Sequence, residues 1–323
     1  MEKQLKILFL GKNYSQGLKD SDPSSIASIA SKSGHQILRD VDEGPDIVVC
    51  VDYKRSDMKI VRRAKLNNVP CVLMVNEPKV VIPQNSNEGT LRMFDRIVRI
   101  GRPDSLPMVR WAQTWRELNS NLSRMEKVVL VNADKWSFVP GQLYWLRAAL
   151  AVKHDSIDVF GPGWDRSFLV RFSHRVFEFM RTLAAKQRPS LSGSSYVLAK
   201  PLSYKGTVAD KVRQMANYKI SLVIENSQEL LTEKLFDAWF AGCIPVYVGP
   251  DLEKFGLPED LVITCDPSVT SVQRAVERAY AVDLAEFHKK LDLFLNSPEA
   301  AGWRSDWAIH AALEAALESK TSS

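Results

Sequence analysis

Residues 218–250 read YKISLVIENSQELLTEKLFDAWFAGCIPVYVGP. The first apolar run, 220–224, is short, largely aliphatic and bounded by polar residues, which predicts a buried strand. Glu225, Asn226 and Ser227 follow at its C-terminal end, where α/β folds meet their ligands, and their polar side chains suit a nucleotide or sugar hydroxyl. Thr232 is placed to cap a helix, Glu233 and Lys234 fall in its first turn, and Leu235, Ala238, Trp239 and Gly242 recur at helical spacing. A second strand opens at Ile244. Strand, helix and strand in this order predict a parallel sheet. The N–H groups at the start of that helix, with the Lys234 charge, suit a phosphate. The plainer reading of Glu233 and Lys234 is a surface ion pair worth ~0–1 kcal/mol. Their position between a polar strand end and a helix start favours a ligand role, whereas Trp239 and Phe240 read as core.

The same pattern extends in both directions. Apolar runs at 7–10, 47–51, 71–75 and 97–100, with an amphipathic helix over 59–65 between two of them, make the first third a series of βα units. Residues 101–125 break the pattern with Pro103, Pro107, Trp111, Trp115 and a polar stretch, the composition of a connector. A second α/β series follows, with strands at 128–131, 157–160, 244–248 and 261–264, a helix over 142–152 and a largely helical region over 271–320. At about 100–200 residues per domain, 323 residues suit two domains. The expectation is therefore two α/β, Rossmann-like domains, 1–118 and 119–323, facing each other across a cleft, the second ending in a helical tail. Small-molecule sites favour such clefts and the C-terminal ends of parallel strands.

Composition and motifs remove other classes. Hydrophobic residues make up 45% and charged residues 25% of the chain, which excludes a disordered or collagen-like protein. No apolar run reaches the ~18–20 residues of a membrane span, and the N-terminal residues do not read as a signal peptide, so a cytoplasmic location is expected. Cys50, Cys71, Cys243 and Cys265 are far apart and lie beside apolar residues, the pattern of reduced core thiols. A formal charge of +5 is compatible with an anionic ligand or a membrane surface but falls short of a nucleic-acid signature. Gly11 and Gly17 match neither dinucleotide nor P-loop spacing. Gly161-Pro162-Gly163 reads as a tight turn, because Arg166 occupies the third glycine position of the dinucleotide fingerprint. There is no G-x-S-x-G elbow, and Asp40-Val41-Asp42 reads as a surface turn rather than a metal site. Between Arg166 and Arg188, basic and aromatic residues mix, among them Arg171, His174, Arg175, Phe177 and Phe179. A helix of that makeup either lies on a membrane or, more commonly, covers the core while its arginines stay in water. Trp111 and Trp115 could stack on sugars or pin the domains together.

The runs Glu225-Asn226-Ser227, Thr232-Glu233-Lys234-Leu235, Ile244-Pro245-Val246 and Gly249-Pro250 resemble the donor-binding signature of the α-1,3/α-1,4-fucosyltransferase family, glycosyltransferase family 10. Asn76-Glu77-Pro78, Gly101-Arg102-Pro103, Asn132-Ala133-Asp134-Lys135, Phe160-Gly161-Pro162-Gly163-Trp164 and Tyr204-Lys205-Gly206 are similar to bacterial members. The likeness spans roughly residues 70–255. It implies a GT-B fold and an inverting transfer of L-fucose from GDP-β-L-fucose to a glycan hydroxyl, in bacterial surface-glycan synthesis, with no metal or other cofactor. Inversion in one displacement needs a carboxylate base and a cationic cradle for the departing diphosphate. Glu77, after the 71–75 strand and matching the family's N-terminal glutamate, is the expected base; a turn carboxylate beside Pro78 is the alternative. Glu233 and Lys234 match the donor-binding Glu-Lys, with Glu225, Asn226, Ser227 and Thr232 beside them. Lys135 and Arg147 are the candidates for the family's diphosphate-binding arginine, each also readable as a surface charge. The sequence departs from several members in carrying Leu230 where they place a tyrosine, and in a short 226–232 loop. The expected partners are a nucleotide-sugar donor and a glycan acceptor, lipid-linked if the protein touches the inner face of the membrane, and no nucleic acid; oligomeric state stays open. The competing readings are a GT-B transferase using another nucleotide sugar and a catalytically silent carbohydrate-binding or scaffold protein.

Overall fold

The computed structural model describes residues 4–11, 26–102, 114–121 and 123–318. The chain forms two compact units, one made of residues 1–114 and 302–323 and the other of residues 115–301. In the first unit, β1 (Lys6–Gly11), β2 (Gln36–Leu38), β3 (Ile47–Val51), β4 (Cys71–Val75) and β5 (Arg96–Arg99) form a parallel sheet in the order β2-β1-β3-β4-β5. Helices α1 (Ile26–Lys32), α2 (Met58–Leu66) and the single turn α3 (Glu88–Leu91) connect them. Both faces of the sheet are covered, as parallel sheets require. Ile7 and Phe9 point into the core shared with α1, while Leu8 and Leu10 point into the core shared with α2, following the period of two along a strand.

The second unit repeats this topology. Its strands β6 (Met125–Val131), β7 (Ile157–Phe160), β8 (Tyr218–Ile224), β9 (Ile244–Val248) and β10 (Ile263–Thr264) lie in the order β10-β9-β8-β6-β7, again all parallel. Its helices are α4 (Tyr144–Lys153), α5 (Phe168–Ala184), α6 (Lys211–Met215), α7 (Lys234–Phe240), α8 (Val269–Tyr280), α9 (Leu284–Leu295) and α10 (Pro298–Ala301). In each unit the strand order reverses between the first and third strands, which opens a crevice at their C-terminal ends. The last helix, α11 (Ser305–Leu317), corrects the expected tail: it packs on α1 and β5 of the first unit, burying Ala312, Leu313, Ala315 and Ala316 in that unit's core. Its Ala/Leu composition fixed the helix but said nothing of which sheet would receive it. Trp115 packs edge-on against Phe240 of α7 at 5.3 Å, within the second unit; Trp111 and Gly17 lie outside the described residues. Cys50, Cys71 and Cys243 are buried, Cys265 is half-buried, and all four are free thiols. Burial raises the Cys243 thiol to about 12 and those of Cys71 and Cys265 to about 11. Asp40 caps a short turn, paired reciprocally with Glu43, and Asp42 binds Arg63.

One correction concerns α5. Its inner face carries Arg171 and Arg175, both buried, and both guanidinium groups converge on Asp134, itself buried after β6. Arg171 Nε donates to Asp134 at 2.7 Å, its other nitrogens donate to the carbonyls of Leu198 and Ala199 at 2.8 Å, and Arg175 donates to the Val197 carbonyl at 3.0 Å. The commoner of the two sequence readings kept these arginines in water; the structure buries both and leaves Phe177 exposed, while Phe179 packs edge-on against Phe138 at 5.3 Å. A buried pair loses heavily when one partner goes, because the remaining charge is stranded. Asp134→Ala leaves two guanidinium groups without their carboxylate and is expected to cost about 3–5 kcal/mol, read as a lower midpoint in urea unfolding; an unchanged midpoint would show that the clamp carries no stability.

Candidate functional site

The chemistry-bearing residues of the second unit gather where β8 ends. Glu225 is fully buried. A carboxylate so placed needs donors on every side, and it has three: the Thr232 N–H at 2.9 Å, the Thr232 hydroxyl at 2.7 Å and the Lys234 ammonium at 3.1 Å. Lys234 also donates to Thr232 Oγ1 at 2.7 Å, so two of its three N–H donors are engaged while its side chain keeps 19% exposure. Thr232 therefore does not cap α7. Its N–H and hydroxyl both go to Glu225, and Glu233 takes the N-cap position in helical conformation without a side-chain cap bond.

Arg147, on α4, crosses the strand-order switch point to this corner. It is buried, donates to the Ile224 carbonyl at 3.1 Å and to Asn226 Oδ1 at 3.0 Å, and lies over the Tyr144 ring at 4.9 Å. Burial pulls its pKa below the ordinary guanidinium value, while the Tyr144, Glu225 and Glu233 charges act the other way. Of the two basic candidates it is the one brought to the site, as the residue that orients Asn226. Lys135 is exposed after β6, and its charge acts on Glu178 of α5. Ser227 is buried and accepts from the Glu229 N–H at 3.3 Å, and the Asn226 carbonyl accepts from the Leu143 N–H at 3.0 Å, which ties the loop to the start of α4. Glu233 faces Lys211 of α6 at 3.3 Å, and Lys211 also pairs with Asp237. Burial works to raise the Glu233 carboxyl, but Lys234 and Lys211 outweigh it and hold it at about 2. Lys211 and Asp237 carried no local signal in the sequence.

Beside this corner, at the ends of β9 and β10, a hollow of about 530 Å³ is lined by Gln228, Tyr247, Gly249, Asp251, Asp266 and Arg278, among others. Gly249 is obligatory: a Cβ there would sit 2.3 Å from the Tyr247 hydroxyl and 2.8 Å from Glu225 Cγ. The Tyr247 hydroxyl is buried with no hydrogen-bond partner among the described residues, and burial, with the Glu225 charge, pushes its pKa well above the usual phenol value. Tyr247 was missed because it reads as an ordinary strand aromatic.

In the first unit Glu77 is half-buried just beyond the end of β4. Its backbone is fixed on both sides: the Glu77 N–H donates to Asp52 Oδ1 at 2.9 Å, and its carbonyl accepts from Asn85 Nδ2 at 2.9 Å. Asp52 also accepts from the Asn76 N–H and from Asn85 Nδ2, both at 2.8 Å. It adopts φ 60° directly after β3, a left-handed backbone costly for a residue with a Cβ but tolerated best by Asn and Asp. The signal for Asp52 was its place after an apolar strand, the same cue that marked Glu225. Asn85, buried in the short 3₁₀ turn Pro83–Ser86, offered none.

Folding holds Glu233 at about 2 against an ordinary 4.5, so the unfolded chain binds more protons at that position in acid. The stabilising contribution is complete above pH about 4.5 and is lost as pH falls towards 2. Glu233→Gln is expected to flatten the acid slope of unfolding free energy between those values, measured by urea titration at a series of pH; an unaltered slope would remove the Lys211–Glu233–Lys234 arrangement from the account.

No family model and no curated protein sequence matches the chain. Solved structures match its fold. An α1,3-fucosyltransferase crystallised with GDP aligns at a TM-score of 0.51 and 15% identity, covering 96% of this chain and 90% of that one. A glycosyltransferase from Rickettsia africae aligns at 0.54 and 11% identity over the full length of both chains. The Anabaena protein HepE, in complex with UDP, aligns at 0.52 and 10% identity over 98% of this chain and 100% of that one. Likeness at such identities speaks for architecture, and with two five-stranded parallel sheets of identical strand order the chain has a GT-B-like fold.

Proposed function

We propose that this chain is a nucleotide-sugar-dependent glycosyltransferase and that its donor is GDP-β-L-fucose, passed with inversion to a hydroxyl of a glycan acceptor in bacterial surface-glycan synthesis. The observation that carries the reading is the ordered corner at the end of β8, where a buried carboxylate holds a partly exposed ammonium; a hollow of about 530 Å³ adjoins the Glu225 side of that corner through Gly249 and Tyr247. The motifs that resemble family 10 coincide with this corner, and the α1,3-fucosyltransferase of the same fold was crystallised with GDP.

In this mechanism the remaining N–H of Lys234 meets the diphosphate, Asn226, held by Arg147, meets the nucleoside or sugar, and Glu77 accepts the proton of the acceptor hydroxyl. The hydroxyl oxygen then bonds the anomeric carbon as the bond to the β-phosphate oxygen breaks, and the departing charge is met by the ammonium. Glu233, ionised through the neutral range by its two lysines, is suited to accept hydrogen bonds from donor hydroxyls. The HepE complex with UDP favours one second reading, a uridine-based donor on the same frame.

Calorimetric titration with GDP and UDP separates these readings. GDP is expected to bind the wild type more tightly, and Lys234→Ala to weaken GDP binding by about 10–100-fold through loss of one charge-assisted hydrogen bond. A preference for UDP would replace the guanosine donor, and binding of neither would remove the enzyme reading. For catalysis, Glu77→Gln is expected to keep nucleotide affinity while turnover with a glycan acceptor falls ~10²–10⁴-fold. Retained turnover would take the base role from Glu77.

A further inference from the structure

Helix α5 is amphipathic the wrong way round for a core helix. Its buried side chains are the polar Arg171, Arg175 and Thr182, Glu178 and Arg181 are half-buried, His174 is exposed, and the rest of its exposed surface carries Phe168, Leu169, Phe172, Val176, Phe177, Met180 and Leu183. The exposure is large, 75% at Leu169 and 62% at Phe177. At 100° per residue, Phe172, Leu183, Val176, Leu169, Met180, Ser173, Ala184, Phe177 and Val170 occupy one continuous side of the cylinder, without a charge among them. Contiguous apolar surface of this kind marks an interaction site.

We propose that α5 is an interfacial anchor that seats the second unit on a bilayer bearing anionic lipids. Two features choose this occupant. The first is charge. Between Asp165 and Asp210 the sequence holds eight Lys and Arg residues against one acidic residue, Glu178. Arg171 and Arg175 are engaged by Asp134, and Arg181 pairs with Glu178, but Arg166 before the helix and Lys186 and Arg188 after it are exposed and bracket the apolar stripe at both ends. Anionic headgroups complement that arrangement, whereas a second copy docked on the same face would bring like charges together. The second feature is the lack of directional chemistry. Within that stripe Ser173 is the one polar residue, and its hydroxyl donates back to the Val170 carbonyl at 2.9 Å, while His174 is exposed at the stripe's edge. Protein partners meet through about one hydrogen bond per 100–200 Å², and this face presents a smooth apolar strip, which hydrocarbon accepts without pairing.

The inversion also explains the inner face. For the apolar side to point outward, the helix must bury its polar side, and Asp134 with the carbonyls of residues 197–199 supplies the acceptors that make this possible. The inference stands apart from the identity of the donor.

The test is co-sedimentation of the full chain with phosphatidylcholine vesicles, with and without phosphatidylglycerol. The wild type is expected to bind the mixed vesicles, to be released by salt, and to bind pure phosphatidylcholine weakly. Leu169→Gln with Phe177→Gln replaces side chains that are mostly exposed, so thermal unfolding and calorimetric GDP binding should be unchanged while vesicle partitioning falls at least about tenfold; Lys186→Glu with Arg188→Glu should abolish the phosphatidylglycerol preference. Failure to bind either vesicle, or binding untouched by both pairs of substitutions, would falsify the anchor. Sedimentation velocity gives the competing outcome: a self-associated species that the Leu169/Phe177 pair dissolves would assign the face to a second copy instead.

Discussion

The second unit depends on a carboxylate that water cannot reach. Stripping the hydration from an ion costs several kcal/mol even after the protein relaxes, so the fully buried Glu225 is tolerable only with its donors in place. Two of the three come from one residue, Thr232, which must return to the strand end after a short loop and present both its N–H and its hydroxyl. That requirement fixes the course of residues 226–232, takes Thr232 away from helix capping and sets where α7 begins. It also crowds the neighbouring strand end, where Gly249 has no room for a Cβ between Glu225 and the Tyr247 ring. The Lys234 ammonium enters as the third donor, so its direction is set by the protein interior before any ligand arrives.

This ordering changes how the corner would recognise an anion. Lys234 is paired with Glu225, Lys211 with Glu233 and Asp237, and the Arg147 guanidinium is occupied by a carbonyl and an amide oxygen. These three cations are thus matched in advance by nearby carboxylates or dipoles. Affinity would come instead from an N–H donor held at a fixed place, with little reorganisation left on binding, which is the arrangement that favours charge developing in a transition state over charge already present in the substrate.

What could be read from the sequence divides along a physical line. Most strands were legible because a parallel sheet buried on both faces writes itself as short apolar runs; β2, three residues at the sheet edge with only Leu38 buried, was missed. The Glu225–Lys234 cluster was legible because its members lie within one loop and one helical turn. The rest depends on partners distant in the chain. Arg147 reaches the strand end 77 residues on, so its role could not be separated from that of Lys135 by local pattern. Helix α11 was recognisable as a helix, but the sheet that receives it is built from the first hundred residues, about 200 positions away in the chain. Of the two readings left open for α5, the commoner one failed for a related reason: periodicity gives two faces and the usual rule turns the apolar one inward, a rule that Asp134, over 30 residues away, overrides.

Asp52 and Glu225 make the same structural use of an acidic residue. Each directly follows a strand of a parallel sheet, at the end where the chain must turn into a loop, and each gathers N–H groups from that loop or from the one beside it. In the first unit the backbone so held is that of Glu77; in the second, the side chain so held is that of Lys234. The residue at the strand end is therefore the holder, and the residue it fixes keeps part of its surface exposed, 19% at the Lys234 side chain. Glu225 satisfied every sequence criterion for a ligand-binding carboxylate, yet all of its acceptor contacts are turned inward, which makes it a positioning residue for Lys234. Asp52 attracted no notice and has the same office for Glu77. On the roles proposed for Glu77 and Lys234, a strand-end acid in a parallel sheet marks the neighbourhood of the chemistry, and the group that would meet substrate lies one loop contact further on.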